Sequence, residues 1–382
     1  MHYLDNAATS WPKPEAVYTK MDSAFRHLFS PKRGTAKAAR LGASQLDEAR
    51  GLVASILKVK NPQRICFMGG ATHALNAAIL AFPLAEGDAI VMSAIEHHAV
   101  SRPIRKVSRD KGVRFHVVPY TDTNPFDLSA FEALLKSDPK IRLVATTHAS
   151  NVLGSVLPIG EIGALCKKYG KTYLVDAAQT AGVLPIDVDA FNIDMIAIPG
   201  HKSLYGPPGV GALFIREGVP LQTFMEGGTG GDSGRHELPP TTPDGFEVGT
   251  IPLPQILALA EGIRWVKSTG LDAIHDAEMR LLARLLDGLK SIQKLTIYGH
   301  TNLQLKTPVV SFNVAGHAPK ALGEQLFDEF GIALRAGFHC APMAHEAVGS
   351  APLGGTVRAS IGFTTKDEDV DALLAALTKI TR

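Results

Sequence analysis

The chain has 382 residues, of which 45% are hydrophobic and 20% are charged. This balance is typical of a protein that buries a large core, and it excludes global disorder. Lysine and arginine number 39 against 37 aspartates and glutamates, which gives a net charge of +2 and leaves no basic footprint for nucleic acid or for an acidic membrane.

At roughly 100–200 residues per domain, the length predicts two or three domains. No apolar run reaches the roughly 18 residues that a membrane span requires, and the opening residues lack the layout of a signal peptide. Three cysteines, Cys66, Cys166 and Cys340, cannot form a disulfide framework, and an odd thiol is best tolerated in a reducing compartment. We therefore expect a soluble, cytoplasmic protein with no membrane or nucleic-acid partner.

Between residues 60 and 216, short β-rich runs alternate with amphipathic stretches. The predicted strands are RICFMG, AIVMSA, RFHVVPY, RLVATTHAS, TYLVDAAQ, MIAIPG and GALFI. The predicted helices between them are THALNAAILAF, HHAVSRPIRKVSRDKG, LSAFEALLKS and IGEIGALCKKYG. Several strands are continuously apolar, which indicates a sheet covered on both faces. The alternation predicts an α/β domain with a mainly parallel sheet and with ligands beyond the carboxyl ends of the strands.

Residues 217–254 are rich in glycine, proline and threonine, and a structureless stretch of this length is usually functional or disordered. Two amphipathic helices, QILALAEGIRWVK and LDAIHDAEMRLLARLLDGLKSI, follow it. Further strands and helices up to the C-terminus predict a smaller α+β domain. We expect a large domain over residues 15–255, and a small domain formed by residues 256–382 together with the N-terminal segment 1–14.

Asp176 and Lys202 each end an apolar strand, so both side chains should point into the same crevice. A buried carboxylate and a buried lysine are costly to desolvate, and they persist where their charge is used. A structural ion pair between neighbouring strands would also account for them. The functional alternative is a pyridoxal phosphate site, in which a lysine binds the cofactor covalently and an acid keeps the pyridine nitrogen protonated.

Such a site also needs phosphate donors at a helix N-terminus and a group stacked on the ring. Gly70, Ala71 and Thr72 open a predicted helix directly after a strand, although small residues also serve ordinary strand-to-helix turns. The pair His97 and His98 follows another strand, and one imidazole could stack on a ring. A histidine at a strand end is otherwise an ordinary hydrogen-bonded polar residue.

Cys340 lies in RAGFHCAPMAH, a turn flanked by glycine and proline. This context favours an exposed thiol, whose thiolate would be nucleophilic, whereas Cys66 and Cys166 lie in apolar patterns typical of a core. Arg358 comes at the start of a strand in the same predicted domain. Its guanidinium could hold a substrate carboxylate through two hydrogen bonds, or it could be an ordinary surface arginine.

Eight segments occur in order across nearly the whole chain. They are YLDNAAT (3–9), the helix start at Thr72, EHH (96–98), THASNVLG (147–154), VDAAQ (175–179), GHK (200–202), FEVGT (246–250) and RAGFHCAP (335–342). Together they resemble the cysteine desulfurases of the class V aminotransferase family, in the fold-type I group of pyridoxal phosphate enzymes. The resemblance implies that fold, pyridoxal 5'-phosphate as cofactor, and conversion of L-cysteine to L-alanine with the sulfur passed to a cysteine as a persulfide.

The resemblance implies that one set of residues binds the cofactor. Lys202 would bind it covalently and later move protons, Asp176 would pair with the ring nitrogen and Gln179 with the ring hydroxyl. His97 would stack on the ring and act in acid–base steps. The other contacts would come from Ala71, Thr72, His201, Asn151 and, from a second subunit, Thr250. A shared phosphate site implies a homodimer with its active sites at the interface, in which the segment 217–254 would take part.

A second set would act on the substrate. Asn151 and Arg358 would orient the amino-acid carboxylate, with Arg335 as a further candidate, and Ala8 would lie near the substrate. Cys340 would attack the sulfur and carry it, ready for a sulfur-acceptor protein such as those of iron–sulfur cluster assembly.

Two features depart from the family pattern. Pro199 stands directly before GHK, where many relatives have a serine or threonine whose hydroxyl helps to hold the phosphate. One donor is therefore missing or comes from elsewhere, for example from Ser203. The segment around Cys340 is short, unlike that of relatives whose cysteine lies on a long mobile loop, so we expect a fixed thiol whose acceptor must enter the pocket.

Related reactions stay open, because a selenocysteine lyase, a C–S lyase that releases pyruvate, or a transaminase would use the same machinery. A non-catalytic sulfur carrier would share the cofactor. A nicotinamide dehydrogenase is disfavoured, since no G-x-G-x-x-G follows a strand and opens a helix. A zinc site at His339, Cys340 and His345 lacks a fourth ligand at recognisable spacing, so no metal is expected.

Overall fold

The structure is a computed structural model that describes residues 1–28, 37–230 and 234–382. Its strands are β1 (His2–Tyr3), β2 (Ile65–Met68), β3 (Ala89–Ser93), β4 (Arg114–Val118), β5 (Ile141–Thr147), β6 (Thr172–Asp176), β7 (Met195–Pro199), β8 (Gly211–Ile215), β9 (Leu295–Tyr298), β10 (Val309–Val314), β11 (Ile332–Ala333), β12 (Arg335–Gly337) and β13 (Thr356–Ser360). Its α-helices are α1 (Glu15–His27), α2 (Lys37–Ile56), α3 (Ala71–Leu80), α4 (His98–Lys111), α5 (Leu128–Ser137), α6 (Ile159–Lys168), α7 (Leu253–Thr269), α8 (Leu271–Ser291), α9 (Pro319–Phe330), α10 (Pro342–Ala347) and α11 (Asp367–Thr381).

The large sheet has seven strands in the order β2-β8-β7-β6-β5-β3-β4. Strands β7, β6, β5, β3 and β4 run parallel, and β8 is antiparallel to both of its neighbours. The prediction of an α/β fold with a mainly parallel sheet is therefore confirmed. Because these five strands point the same way, the strand ends that carry polar motifs come together at one edge.

Both faces of this sheet are covered, which explains its continuously apolar strands. Successive side chains of a strand point to opposite faces. In β3, Ala89 and Val91 accordingly pack in one core, while Ile90 and Met92 pack in the core on the other face. No helix within the described ranges is long and apolar enough to cross a bilayer.

A second sheet, antiparallel and four-stranded, has the order β12-β13-β10-β9. Helices α8, α9 and α11 pack on it around a separate core that includes Leu282, Phe312 and Leu373. The N-terminus joins this unit, because β1 pairs in parallel with β11 and Asp5 forms a β-bridge with Ser360.

Helix α7 packs with α1 and α2, and its buried residues Ile256, Leu259 and Ile263 belong to the core of the large sheet. Helix α8, which follows directly, belongs to the other core. Gly270 separates the two helices with φ at +89°, a conformation that favours glycine. We therefore propose that the domains divide near Gly270, in place of the division after residue 255 expected from the sequence.

Positions 217–230 and 234–252 contain neither helix nor strand, while 231–233, the rest of the Gly-rich stretch, lie outside the described residues. A buried ion pair anchors the end of this segment. Arg50 of α2 donates to both carboxylate oxygens of Glu247 and to the Ile65 carbonyl. The Phe67 amide donates to the same carboxylate at 2.8 Å. The Arg50 and Glu247 side chains are 1% and 0% exposed, so the pair is sealed from water.

Glu247→Gln should destabilise the fold by about 3–5 kcal/mol, because it leaves the buried Arg50 cation without its counter-charge. The measurement is the midpoint of urea unfolding. The matched control is Arg26→Ala, which removes an ion pair with Asp22 on the exposed surface of α1 and should leave the midpoint where it is. Equal midpoints for Glu247→Gln and the parent would show that the buried pair is dispensable for stability.

Candidate functional site

A cavity of about 300 Å³ lies at the carboxyl ends of β5, β6 and β7. Residues of the second sheet and of the N-terminal segment complete its wall. Of the thirteen residues to which the family resemblance gives a role, eleven line it, namely Ala8, Ala71, Thr72, His97, Asn151, Asp176, Gln179, His201, Lys202, Arg335 and Arg358. Two do not: Cys340 is partly exposed and contacts the lining residue Arg335, and Thr250 is exposed outside the cavity.

Asp176 and Lys202 face the same cavity without forming an ion pair within 4 Å, so they are not a simple structural pair. The Asp176 carboxylate is 3% exposed and accepts a hydrogen bond from the Ala178 amide at 2.9 Å. Burial raises the pKa of Asp176, and the positive charge of Lys202 opposes that shift. Burial also lowers the pKa of Lys202 to about 8, so about a tenth of this amine is neutral and nucleophilic at pH 7, far more than for an ordinary lysine.

His97 caps the N-terminus of α4, where its Nδ1 accepts a hydrogen bond from the Ala99 amide at 3.0 Å. Burial, helped by the charge of Lys202, lowers the pKa of His97 to about 3. Burial likewise lowers the pKa of His201 to about 4. Both imidazoles are therefore neutral, and the His97 ring offers an uncharged face to an aromatic ligand.

The N-terminus of α3 opens into the cavity at Gly70, which caps the helix with φ at +130°. The first amides of a helix have no intrahelical partner, and they attract anions such as phosphate. Gly211 at the start of β8 approaches this turn closely, since a Cβ there would lie 2.8 Å from the Gly70 Cα. Pro199 lines the cavity as expected, whereas Ser203 does not. The interpretation of Ser203 as a substitute donor therefore gains no support from the lining of the cavity and stays a prediction.

Cys340 lies in a tight turn between β12 and α10, with its own φ at +60° and that of His339 at +49°. Two backbone contacts fix the turn: the His98 amide donates to the Cys340 carbonyl at 2.7 Å, and the Asn151 amide group donates to the His339 carbonyl at 2.7 Å. Arg335 Nη2 donates to Cys340 Sγ at 3.3 Å. Because Arg335 also lines the cavity, it connects the thiol to the site.

Arg358 is fully buried in the wall, at 0% exposure. Its Nη1 donates to the Asn151 carbonyl at 3.0 Å, and its Nη2 pairs with Asp5. Arg358 Nε and Asn151 Oδ1 are buried and have no hydrogen-bond partner in the part of the chain that the structure describes. Such orphaned polar atoms are costly unless a ligand satisfies them, and a carboxylate suits the guanidinium.

The sequence reasoning missed several residues of the site. Glu96, the first residue of EHH, is buried beneath the cavity, where its carboxylate accepts hydrogen bonds from the Ser93 hydroxyl and the Thr147 amide. Burial raises the pKa of Glu96 to about 8. Ala7, Thr147, Ala149, Pro208 and Gly209 line the cavity. Ala7 lies in the motif YLDNAAT, and Thr147 and Ala149 lie in THASNVLG. Their place in these motifs is the signal from which the sequence could have identified them as site residues.

The family model described as Aminotransferase class-V matches residues 2–373. The chain belongs to the class V aminotransferase family. This family depends on pyridoxal phosphate, and the orphaned polar atoms, the helix N-terminus and the lysine–aspartate couple of the cavity fit that cofactor.

Two curated relatives show the same similarity. A protein of Mycolicibacterium paratuberculosis called probable cysteine desulfurase is 35% identical over 389 residues, covering 99% of this chain and 55% of that protein. The chain thus spans about half the length of this relative. A cysteine desulfurase of Yersinia pestis (strain Pestoides F) is also 35% identical over 389 residues, with 99% and 93% covered.

Solved structures agree with the fold. The apo cysteine desulfurase of Thermococcus onnurineus NA1 superposes with a TM-score of 0.89 at 31% identity, covering 99% of this chain and 94% of that one. The cysteine desulfurase CsdA of Escherichia coli, in an S-sulfonic acid form, gives a TM-score of 0.86 at 26% identity with the same coverage. The expected fold-type I architecture is confirmed.

Gly211→Ala should weaken the binding of pyridoxal phosphate at least about tenfold, which corresponds to 1.4 kcal/mol. The added methyl would lie 2.5 Å from the Ile198 carbonyl oxygen and 2.8 Å from the Gly70 Cα, so the helix N-terminus must move. The measurement is a titration of the apo protein with the cofactor, followed by absorbance. Gly51→Ala is the control, because a Cβ there meets no atom within 4 Å; equal affinities for the two variants would refute this account of the Gly70 turn.

Proposed function

We propose that the protein is a pyridoxal phosphate-dependent cysteine desulfurase, which converts L-cysteine to L-alanine and retains the sulfur on Cys340 as a persulfide. The observation that carries this proposal is the contact between Arg335 and Cys340 Sγ at 3.3 Å. Through Arg335 a thiol is joined to the cavity that contains Lys202 and Asp176. The relatives named cysteine desulfurase support the same reaction.

The cavity residues are suited to hold the cofactor in one orientation. Lys202 would bind it covalently, and the Asp176 carboxylate would hold a proton on the ring nitrogen. Gln179 would face the ring hydroxyl, and the neutral His97 would lie against the ring. Ala71, Thr72 and His201 would hold the phosphate, with Asn151 nearby. When bound, pyridoxal phosphate supplies an electron sink for charge that develops on the substrate α-carbon.

Lys202 is the group placed to move protons. Its pKa of about 8 lies near neutral pH, where a general base is most effective. Lys202 Nζ would take the proton from the α-carbon of L-cysteine and later return a proton to the product. Burial lowers the pKa of Lys202 most, and the charges of Arg358 and Arg335 lower it further, which favours its neutral form.

The sulfur step requires Cys340 as nucleophile. Arg358 and Asn151 would hold the substrate carboxylate, and Ala8 would lie beside the substrate, so that its sulfur faces Cys340. The Cys340 thiolate attacks that sulfur, an S–S bond forms and the C–S bond breaks. The electron pair of the broken bond stays with the carbon, which takes up a proton, and the product is L-alanine. The two sulfur atoms are together oxidised by two electrons on forming the persulfide, and the substrate carbon is reduced by the same two electrons, so the step needs no external oxidant.

The products formed from L-cysteine with excess reductant test the reaction. The native protein should release alanine and sulfide in equal amounts, and Cys340→Ala should abolish both while the absorbance of the bound cofactor stays intact. Cys166→Ala is the matched control, because burial in α6 raises the pKa of that thiol and should leave it inert. In Lys202→Ala, borohydride should trap no cofactor on the chain.

Other products would overturn the proposal in defined ways. Pyruvate would indicate a C–S lyase, amino-group transfer to a keto acid would indicate a transaminase, and a strong preference for L-selenocysteine would indicate a selenocysteine lyase. A yellow protein without turnover would favour a sulfur carrier.

We further propose that the enzyme is a homodimer, which works in the cytoplasm and passes sulfur to an acceptor protein, for instance in iron–sulfur cluster assembly. Three free cysteines suit a reducing compartment. Thr250 supports the dimer. It lies outside the cavity of its own chain, three residues beyond the anchored Glu247, where it could reach the phosphate site of a partner subunit. Cys340 is partly exposed beside the exposed Phe338, so an acceptor could approach it.

Mixing two defective variants tests the shared site. Thr250→Ala should weaken cofactor binding, and Lys202→Ala should prevent covalent binding. In a mixed dimer, one site combines an intact Lys202 with the partner's intact threonine. Co-refolding the two variants should therefore restore tight cofactor binding and turnover in one of the two sites of each mixed dimer. Absorbance of the bound cofactor and release of alanine would show this recovery. Absence of any recovery would contradict a phosphate site built from two subunits.

A further inference from the structure

Arg358 is held from two sides before any substrate arrives. Asp5 pairs with Nη2 and the Asn151 carbonyl accepts from Nη1 at 3.0 Å. The Arg358 side chain is 0% exposed and that of Asp5 is 22% exposed. This carboxylate is the charge partner of Arg358 in the wall, and it comes from a residue 353 positions away in the chain.

The backbone around Asp5 is itself fixed. Before it, the Leu4 amide donates to the Ala333 carbonyl at 2.8 Å and extends the pairing of β1 with β11. Asp5 forms a β-bridge with Ser360, and after it the Ala8 amide donates to the Asp5 carbonyl at 3.0 Å. The carboxylate therefore has a defined position, and the guanidinium that it holds cannot swing freely.

Asp5 pairs with Arg358 without itself lining the cavity. Arg358, Ala7 and Ala8 line the cavity, whereas Asp5 does not. Its carboxylate consequently does not occupy the place of a substrate carboxylate. Arg358 Nε, buried and without a partner among the described residues, remains available to a ligand. The arrangement supports the guanidinium instead of blocking it.

The local charge balance makes this support necessary. Arg335 lies opposite Arg358 in the β12–β13 register, and Lys202 faces the same cavity. Burial lowers the pKa of Arg358, while the charge and the hydrogen bond of Asp5 oppose that shift. Cations gathered in a buried wall repel one another. The Asp5 carboxylate that pairs with Arg358 offsets both this repulsion and the cost of removing the guanidinium from water.

We propose that Asp5 is a positioning residue for recognition of the substrate α-carboxylate, because it fixes the orientation of Arg358 at the cavity wall. Through Arg358 it sets the affinity for α-amino acids without touching them. The inference rests on the proposed function only in that the ligand is an α-amino acid bound beside pyridoxal phosphate.

Asp5→Asn should weaken the binding of L-alanine about tenfold, since the ion pair that holds the guanidinium becomes a hydrogen bond to an uncharged amide oxygen. The Michaelis constant for L-cysteine should rise by a similar factor, while kcat changes less than about twofold. Cysteamine, which is L-cysteine without its carboxylate, should bind the variant as well as the parent. Binding of L-alanine and cysteamine is measured as the change in cofactor absorbance on titration, which requires no turnover.

Three further variants make the test selective. Asp369→Asn removes the contact of the same N-terminal segment with α11, where Asp369 accepts from His2 at 2.8 Å, and it should leave both affinities unchanged. In an Arg358→Ala background, Asp5→Asn should have no additional effect. Should Asp5→Asn fail to fold, Asp5→Glu keeps the charge and should show a smaller loss with the same selectivity for the carboxylate.

An unchanged affinity for L-alanine would overturn the proposal. So would an equal loss for L-alanine and cysteamine, because this would report general damage to the site. Failure of the desulfurase reaction would show separately, as the absence of sulfide from the parent protein, and would leave the comparison of the two ligands intact.

Discussion

The site depends on one constraint, the burial of Asp176 and Lys202 at the ends of adjacent parallel strands. Because β6 and β7 are sealed on both faces, these charges can only meet solvent, or a ligand, in the crevice beyond the sheet. The peptide before Lys202 is held tightly. The His201 carbonyl accepts hydrogen bonds from the Thr9 hydroxyl at 3.0 Å, from the Ser10 amide at 3.1 Å and from the Lys13 amine at 3.1 Å. The N-terminal segment thus ties the lysine to the small unit whose strands carry the arginines.

The division of labour between the two units follows from this tie. The large sheet supplies the groups that fit a cofactor, and the second sheet supplies Arg335, Arg358 and the turn with Cys340. Asn151 belongs to the first unit but contacts the second at two points, through its carbonyl to Arg358 and through its side chain to the His339 carbonyl. A change in how Arg358 and Asn151 hold a substrate carboxylate would therefore alter the position of the turn that contains Cys340. That coupling suits a reaction in which a thiol attacks only after the substrate carboxylate is held.

Much of this fold could be predicted because local patterns in the sequence indicate where its strands and helices lie. Short runs rich in apolar residues mark most strands, as in ICFM of β2, and the carboxyl-end rule placed Asp176 and Lys202 together. Other features depend on contacts that no local pattern contains. Helix α1 escaped prediction because only Val17 and Ala24 are buried in it. The amphipathic pattern of α7 predicts a buried face but not which core receives it. The pairing of Asp5 with Arg358 spans nearly the whole chain and leaves no periodic trace.

The Arg50–Glu247 pair shows how a buried ion pair can fix the path of a chain segment even where it adds little to the stability of the fold. Replacing such a pair by apolar residues often costs nothing, so stability alone does not account for charges at this position. At positions 217–230 and 234–252 the chain forms neither helix nor strand, so polar anchors must fix its path instead of a ladder of backbone hydrogen bonds. Glu247 accepts from Arg50 and from the Phe67 amide, which fixes the path of the chain from two directions. Three residues later Thr250 is exposed at the surface, and the contact with a second subunit that we propose for it would require a chain path fixed in this way.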